Sequence, residues 1–225
     1  KRRYLFVGDS YDQIGGHSWI TQVAGYLGLT TDDYVRVSQG GYGFYRDGTL
    51  TWQNLLIGTT ISNPETITDI VVCGGANDSA VSDSDLSTAM YNFDQYCKGR
   101  FTNVKRFYLG FISWRGDFGS NTTNFISTCE RYHSYAQKLG WNVLHNVEYP
   151  LHNLAYMETD PLARFHPTTS GVDYLAPFIA EAILTGLCDV RYQMNTVFTP
   201  NSDYFTGSNF TLRGLTHNNY TWYIS

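Results

Sequence analysis

Four short blocks of the sequence carry residue types suited to nucleophilic chemistry: Gly8-Asp9-Ser10, Gly40-Gly41-Tyr42-Gly43, Gly74-Gly75-Ala76-Asn77-Asp78 and Phe165-His166-Pro167. A serine hydroxyl attacks poorly until a base takes its proton, and a neutral imidazole does this near neutral pH. Acyl transfer also needs hydrogen-bond donors where negative charge develops on the carbonyl oxygen. Backbone N–H groups made accessible by glycine, and the amide of an asparagine, supply them. Each block alone has a simpler reading. Ser10 caps a helix or closes a turn, the glycines form a permissive loop, and Asn77-Asp78 makes an Asx-type turn. Only a fold that gathers the four turns them into a site.

Short apolar runs alternate with longer amphipathic segments through the first 190 or so residues. Strands are expected at Tyr4 to Val7, Tyr34 to Val37, Asp69 to Cys73, Arg106 to Phe111 and Trp141 to Leu144. Helices are expected over Ser18 to Leu27, Asp85 to Gly99 and Asn121 to Leu139, the last placing Phe125, Cys129, Tyr132 and Ala136 on one face. A final helix runs from Val172 to Leu184, with Pro177 near its start or kinking it. This alternation predicts a mostly parallel sheet with helices on both faces. Such sheets keep their ligands beyond the carboxyl ends of the strands, where the first three blocks fall. From Asp189 the texture changes to Thr, Asn, Tyr and Phe with turn signals. A core domain over 1–188 and a β-rich appendage over 189–225, packed on it, are therefore expected.

In the order and strand-end placement of these blocks, the chain resembles the SGNH or GDSL-type serine hydrolases, a family of esterases and lipases. The resemblance covers roughly residues 4 to 185 and implies a flavodoxin-like three-layer α/β/α sandwich with a mainly parallel five-stranded sheet. It implies Ser10 as nucleophile, with its own N–H as one oxyanion donor. Gly41 becomes the second donor, with Gly43 as the alternative register, and Asn77 in G-x-N-D the third. His166 becomes the base. One position departs from the pattern: the family usually places an Asp three residues before the catalytic His, where this chain has Ala163. Asp160, Glu158 or a backbone carbonyl are the alternatives for orienting the imidazole. Losing that carboxylate from a triad lowers turnover by about 10⁴, so an inactive module on the same fold is one competing expectation.

The remaining sequence narrows the function class. A formal net charge of −5 with 15 Lys and Arg carries no basic field for nucleic acid or an anionic membrane. No apolar run is long enough to span a bilayer, and no signal peptide is present, although a start without Met reads as a processed or excised chain. Cys73, Cys97, Cys129 and Cys188 are scattered and read as core thiols; no HExxH or similar cluster suggests a metal, and no cofactor is required. His17, His133, His145, His152 and His217 read as surface or packing residues, with His17 near enough to Ser10 in sequence to line a pocket. Asp9 is expected to brace the first loop.

The reading that joins these features is a carboxylic-ester hydrolase removing a small acyl group, above all acetyl from a carbohydrate, with a thioesterase or acyltransferase as alternative. Trp52-Gln53-Asn54, Trp114 to Asp117 and Tyr149 to Tyr156 are candidates for a polar cleft around a small-molecule or glycan ester. Asn121, Asn209 and Asn219 satisfy the N-glycosylation pattern, which arises often by chance in a chain this rich in Ser, Thr and Asn; an extracellular or cell-surface setting is favoured slightly over a cytoplasmic one. Nothing in the sequence indicates an oligomeric state.

Overall fold

The computed structural model describes residues 1–12, 14–112, 122–148, 150–159 and 166–187, with the strand residues 210–211 and 221–222. The apolar runs form five strands: β1 (Tyr4–Gly8), β2 (Tyr34–Ser38), β3 (Asp69–Gly75), β4 (Arg106–Ile112) and β5 (Asn142–Val143). They make one parallel sheet in the order β2-β1-β3-β4-β5. Every residue of β1 and β3 is buried, so these strands read as continuous apolar runs rather than alternating ones. At the edge, β2 is half-buried and carries Arg36.

Parallel neighbours require crossovers, and the helices α1 (Trp19–Tyr26), α2 (Trp52–Gly58), α3 (Asp83–Arg100) and α4 (Thr122–Lys138) make them, with α5 (Thr169–Leu187) last. Because such crossovers are right-handed, the step from β1 outward to β2 puts α1 on one face. The steps in the other direction put α2, α3 and α4 on the opposite face, where α2 packs on α3 and α3 on α4. Asp173 of α5 bonds Gln22 of α1, which sets these two helices side by side. The result is the expected three-layer α/β/α sandwich.

Local chemistry fixes the helix ends. Ser18 caps α1 by accepting from Thr21 N at 3.1 Å, and Ser82 caps α3 by accepting from Asp85 N at 3.2 Å. Asp83 and Asp85 lie in the first turn of α3, Lys98 and Arg100 in the last, matching the helix dipole at both ends.

Two expectations differ from the structure. The helix α2 is not evident from the sequence, because seven residues show too little periodicity. And α5 begins at Thr169 and carries Pro177 in its interior. A proline there removes one helical bond; burial of Val172, Leu175, Ala176, Ile179 and Ile183 along the same helix outweighs it.

The chain divides into two compact units, Lys1–Leu184 and Thr185–Ser225. In the second, β6 (Phe210–Thr211) pairs antiparallel with β7 (Thr221–Trp222). No helix among the described residues is long and apolar enough to cross a membrane.

Candidate active site

The strand order decides where chemistry can gather. The chain leaves β1 toward β2 on one side, and β3 lies on the other, so the crevice beyond the carboxyl end of β1 is the point where the winding reverses. Ser10 follows β1, Gly40 to Gly43 follow β2, and Ala76 to Asp78 follow β3. Three neighbouring strands thus deliver three of the blocks to one place. Gly40 lies directly against the serine, since a Cβ there would stand 3.4 Å from the Ser10 Cβ. A recess of about 730 Å³ lined by Arg3, Asp33, Thr66 and Lys105 opens at the amino ends of the strands instead, where none of the blocks lies.

The fourth block arrives from the far end of the core. His166 Nε2 lies 2.9 Å from Ser10 Oγ, joining residues 156 positions apart. This is the contact a general base makes with its nucleophile, within hydrogen-bond reach. The buried ring of Tyr11 packs beside the imidazole at 5.9 Å between centroids. The segment carrying His166 is held by its main chain: Glu158 N donates to His166 O at 3.0 Å, and Thr168 N to Tyr156 O at 2.8 Å. Thr168 immediately precedes α5, its Oγ1 accepting from Gly171 N at 3.1 Å.

Beneath the serine loop lie three fully buried aspartates, Asp9, Asp12 and Asp78. Asp9 accepts from Tyr11 N at 3.0 Å and from Gly75 N at 3.4 Å, tying the turn after β1 to the end of β3. Burial pushes its carboxyl up to about 7, against the lowering effect of these two bonds, and the nearby carboxylates of Asp78 and Asp12 push the same way. Asp12 accepts from Ser18 Oγ, Ile20 N, Arg36 Nε and Ser38 Oγ, fastening the Ser10 turn to α1 and β2.

Asp78 holds the next loop, accepting from Phe44 N at 2.7 Å, Tyr45 N at 3.2 Å, Arg46 N at 2.6 Å and the Tyr132 hydroxyl. This requires glycine at 43, because a Cβ there would meet Asp78 Oδ1 at 2.5 Å. Phe44, so placed, enters an aromatic cluster with Trp52, Phe93, Tyr132 and Trp141.

The amide of Asn77 is set by two partners. Its Nδ2 donates to Tyr42 O at 2.9 Å, and its Oδ1 accepts from Arg46 Nη1 at 3.1 Å. The same Nη1 reaches Gly41 O at 3.3 Å. One N–H of the Asn77 amide remains beyond the bond to Tyr42, on a residue that is half-buried like Ser10 and Gly41.

The sequence expectations meet this geometry unevenly. Ser10 and His166 are in contact, and the Gly41 and Asn77 loops converge at the strand ends beside them. Asp160 and Ala163 lie outside the described residues, as do Trp114 to Asp117, Tyr149 and Cys188. Glu158 touches His166 through its backbone, and among the described residues His166 Nδ1 has no carboxylate partner. Trp52 does not line a cleft. It is fully buried and donates Nε1 to Gly8 O at 3.1 Å, fixing the end of β1 one residue before Asp9. His17 faces α5, with Nδ1 2.8 Å from Asp173 Oδ1.

His133 and His145 pack edge to face on one another, and burial lowers both, His133 to about 4. Cys73 and Cys97 are buried free thiols and Cys129 a partly buried one. Among the described residues no His, Cys, Asp and Glu cluster fits a metal ion. The sequence reading missed Arg46 and Asp12, which bond residues distant in sequence and carry no motif, and it gave Trp52 a cleft in place of the core. Arg46 stands three residues past the glycine block, the one hint available.

No family model matches the chain, and no curated protein matches it either. Solved structures do. An acetylxylan esterase from Geobacillus stearothermophilus is similar with a TM-score of 0.62 and 15% identity, over 81% of this chain and 94% of that one. A candidate GDSL-like lipase from Parabacteroides merdae aligns at 0.59 and 14%, over 80% and 94%. A candidate SGNH hydrolase from Slackia heliotrinireducens aligns at 0.57 and 16%, over 81% and 98%. At such identities the likeness is one of architecture: this chain has the α/β/α fold of these proteins.

Proposed function

We propose that the protein is an SGNH or GDSL-type serine esterase that removes a small acyl group, acetyl above all, from a carbohydrate. The observation that carries this reading is the 2.9 Å contact between Ser10 Oγ and His166 Nε2. Ser10 Oγ attacks the ester carbonyl while Nε2 accepts its proton. The N–H groups of Ser10 and Gly41 and the Asn77 amide bind the oxyanion as the C–O double bond opens. His166 returns the proton to the departing alcohol, leaving acyl-Ser10. Water, deprotonated by the same imidazole, then releases the carboxylic acid and restores the serine.

Asp160 is the acid we assign to orient the imidazole, with Glu158 the alternative. The esterase reading is supported by the architecture shared with the Geobacillus acetylxylan esterase, whose catalytic mutants replace a serine, an aspartate or a histidine by alanine; Asp160 itself rests on its place six residues before His166 in the sequence. An extracellular or cell-surface setting is the one this reading favours.

Ala163 keeps a second reading in play, a carbohydrate-binding module on an inactive hydrolase fold. Hydrolysis of p-nitrophenyl acetate by the wild type, abolished in Ser10→Ala, is the expected outcome. A screen of acetylated sugars against longer acyl esters then fixes the substrate. Glycan binding that persists in Ser10→Ala, with no esterase activity in the wild type, supports the module instead.

A further inference from the structure

We infer that Arg46 is a positioning residue for the oxyanion site, acting through Asn77; the inference rests on the esterase reading above. Three observations meet in this residue. Its backbone adopts φ 49°, a left-handed conformation unfavourable for a side chain with a Cβ. That conformation is held by its N–H on Asp78 Oδ1 at 2.6 Å, beside the Phe44 and Tyr45 amides on the same buried carboxylate. The side chain thereby returns across the loop, and one nitrogen, Nη1, bridges Gly41 O and Asn77 Oδ1 at 3.3 and 3.1 Å.

The chemistry of these partners leaves Asn77 one orientation. A guanidinium only donates and the Tyr42 carbonyl only accepts, so the pair selects the amide flip with Oδ1 toward Arg46 and Nδ2 toward Tyr42. With Oδ1 thus engaged, the remaining Nδ2 hydrogen is left for substrate oxygen. The charge also polarises the amide, making that N–H a stronger donor as negative charge grows on the carbonyl oxygen. The bond to Gly41 O fixes where the guanidinium sits, so that it meets Asn77 Oδ1. Sparsely populated backbone conformations persist where the surroundings over-determine them, and the Asp78 carboxylate does so here.

The test is a double-mutant cycle on p-nitrophenyl acetate hydrolysis with Arg46→Gly and Asn77→Ala. Glycine suits φ 49°, so this variant removes the side chain without straining the loop. We expect Arg46→Gly to lower kcat by about 10- to 30-fold with KM changed by less than about twofold, and Asn77→Ala to lower it by about 10². In the Asn77→Ala background Arg46→Gly should cost less than about twofold. Guanidinium ion at millimolar concentration should restore activity to Arg46→Gly and not to the double variant. Multiplicative losses, or a raised KM at unchanged kcat, overturn the role of Arg46 while leaving the esterase intact. A wild type without esterase activity overturns the reading of the whole site, and this role with it.

Discussion

The two halves of the site are built differently. On the nucleophile side, three buried carboxylates act as hubs: Asp9, Asp12 and Asp78 together receive backbone and side-chain donors from β2, β3, α1 and the loops between them. On the base side, the described anchors of His166 are main-chain bonds, Glu158 N to His166 O and Thr168 N to Tyr156 O, with the Tyr11 ring alongside. Buried polar hubs are costly to leave half-satisfied, so the first half couples its geometry to the stability of the fold. In the second half no described side chain other than that of Ser10 bonds the imidazole, and it is in this part of the sequence that the chain departs from the usual pattern, at Ala163.

The largest expected effect separates chemistry from folding. His166→Ala should lower esterase kcat/KM by about 10⁴ or more while leaving the thermal midpoint within a degree or two. A matching collapse of stability would mean that the base side is structural after all. Next comes the acid. Asp160→Ala should cost up to about 10⁴ in kcat and Glu158→Ala less than about threefold, measured on the same ester. Equal and small losses would instead point to a Ser-His dyad held by a carbonyl.

Asp78→Ala tests the other half. It strips a shared acceptor from the Phe44, Tyr45 and Arg46 amides and the Tyr132 hydroxyl, and should cost about 3 kcal/mol of stability in urea unfolding together with about 10² in kcat. Loss of activity alone would break the coupling claimed for this side.

Much of the fold and part of the site are legible in the sequence, and the reasons are physical. The strands were readable because buried parallel strands are continuous apolar runs, as in Leu5-Phe6-Val7 and Ile70-Val71-Val72. The approach of Ser10 to His166 was legible because a short serine motif at a strand end, with glycine and asparagine motifs at the next strand ends and a histidine before the last helix, has few other uses in combination. Trp52 misled: its indole caps the carbonyl of Gly8 inside the core, and no local pattern distinguishes a buried tryptophan from one lining a cleft. Arg46 and Asp12 were silent because they act across the fold, on Asn77 and on Ser18, Arg36 and Ser38, rather than along the chain. The sequence names no single group to orient His166, since the position that usually carries an acid is Ala163.

The smallest expected effect concerns pH. The Asp9 carboxyl is raised from 3.8 to about 7 in the folded protein, so between those values the folded state binds more protons than the unfolded one. Its contribution is therefore full below about pH 4 and is lost as pH rises through 7. Unfolding free energy measured at pH 5 and pH 8 should fall toward the higher pH, and Asp9→Asn should flatten that slope. An unchanged slope would remove Asp9 from the account of the nucleophile side.

The central claim is that these two halves meet to activate Ser10. It is tested most directly by covalent capture with a fluorophosphonate, mapped by mass spectrometry. The account predicts a single phosphonyl adduct on Ser10, formed much more slowly in His166→Ala. An unlabelled Ser10 in the folded wild-type protein, or a labelling rate indifferent to His166, would contradict it.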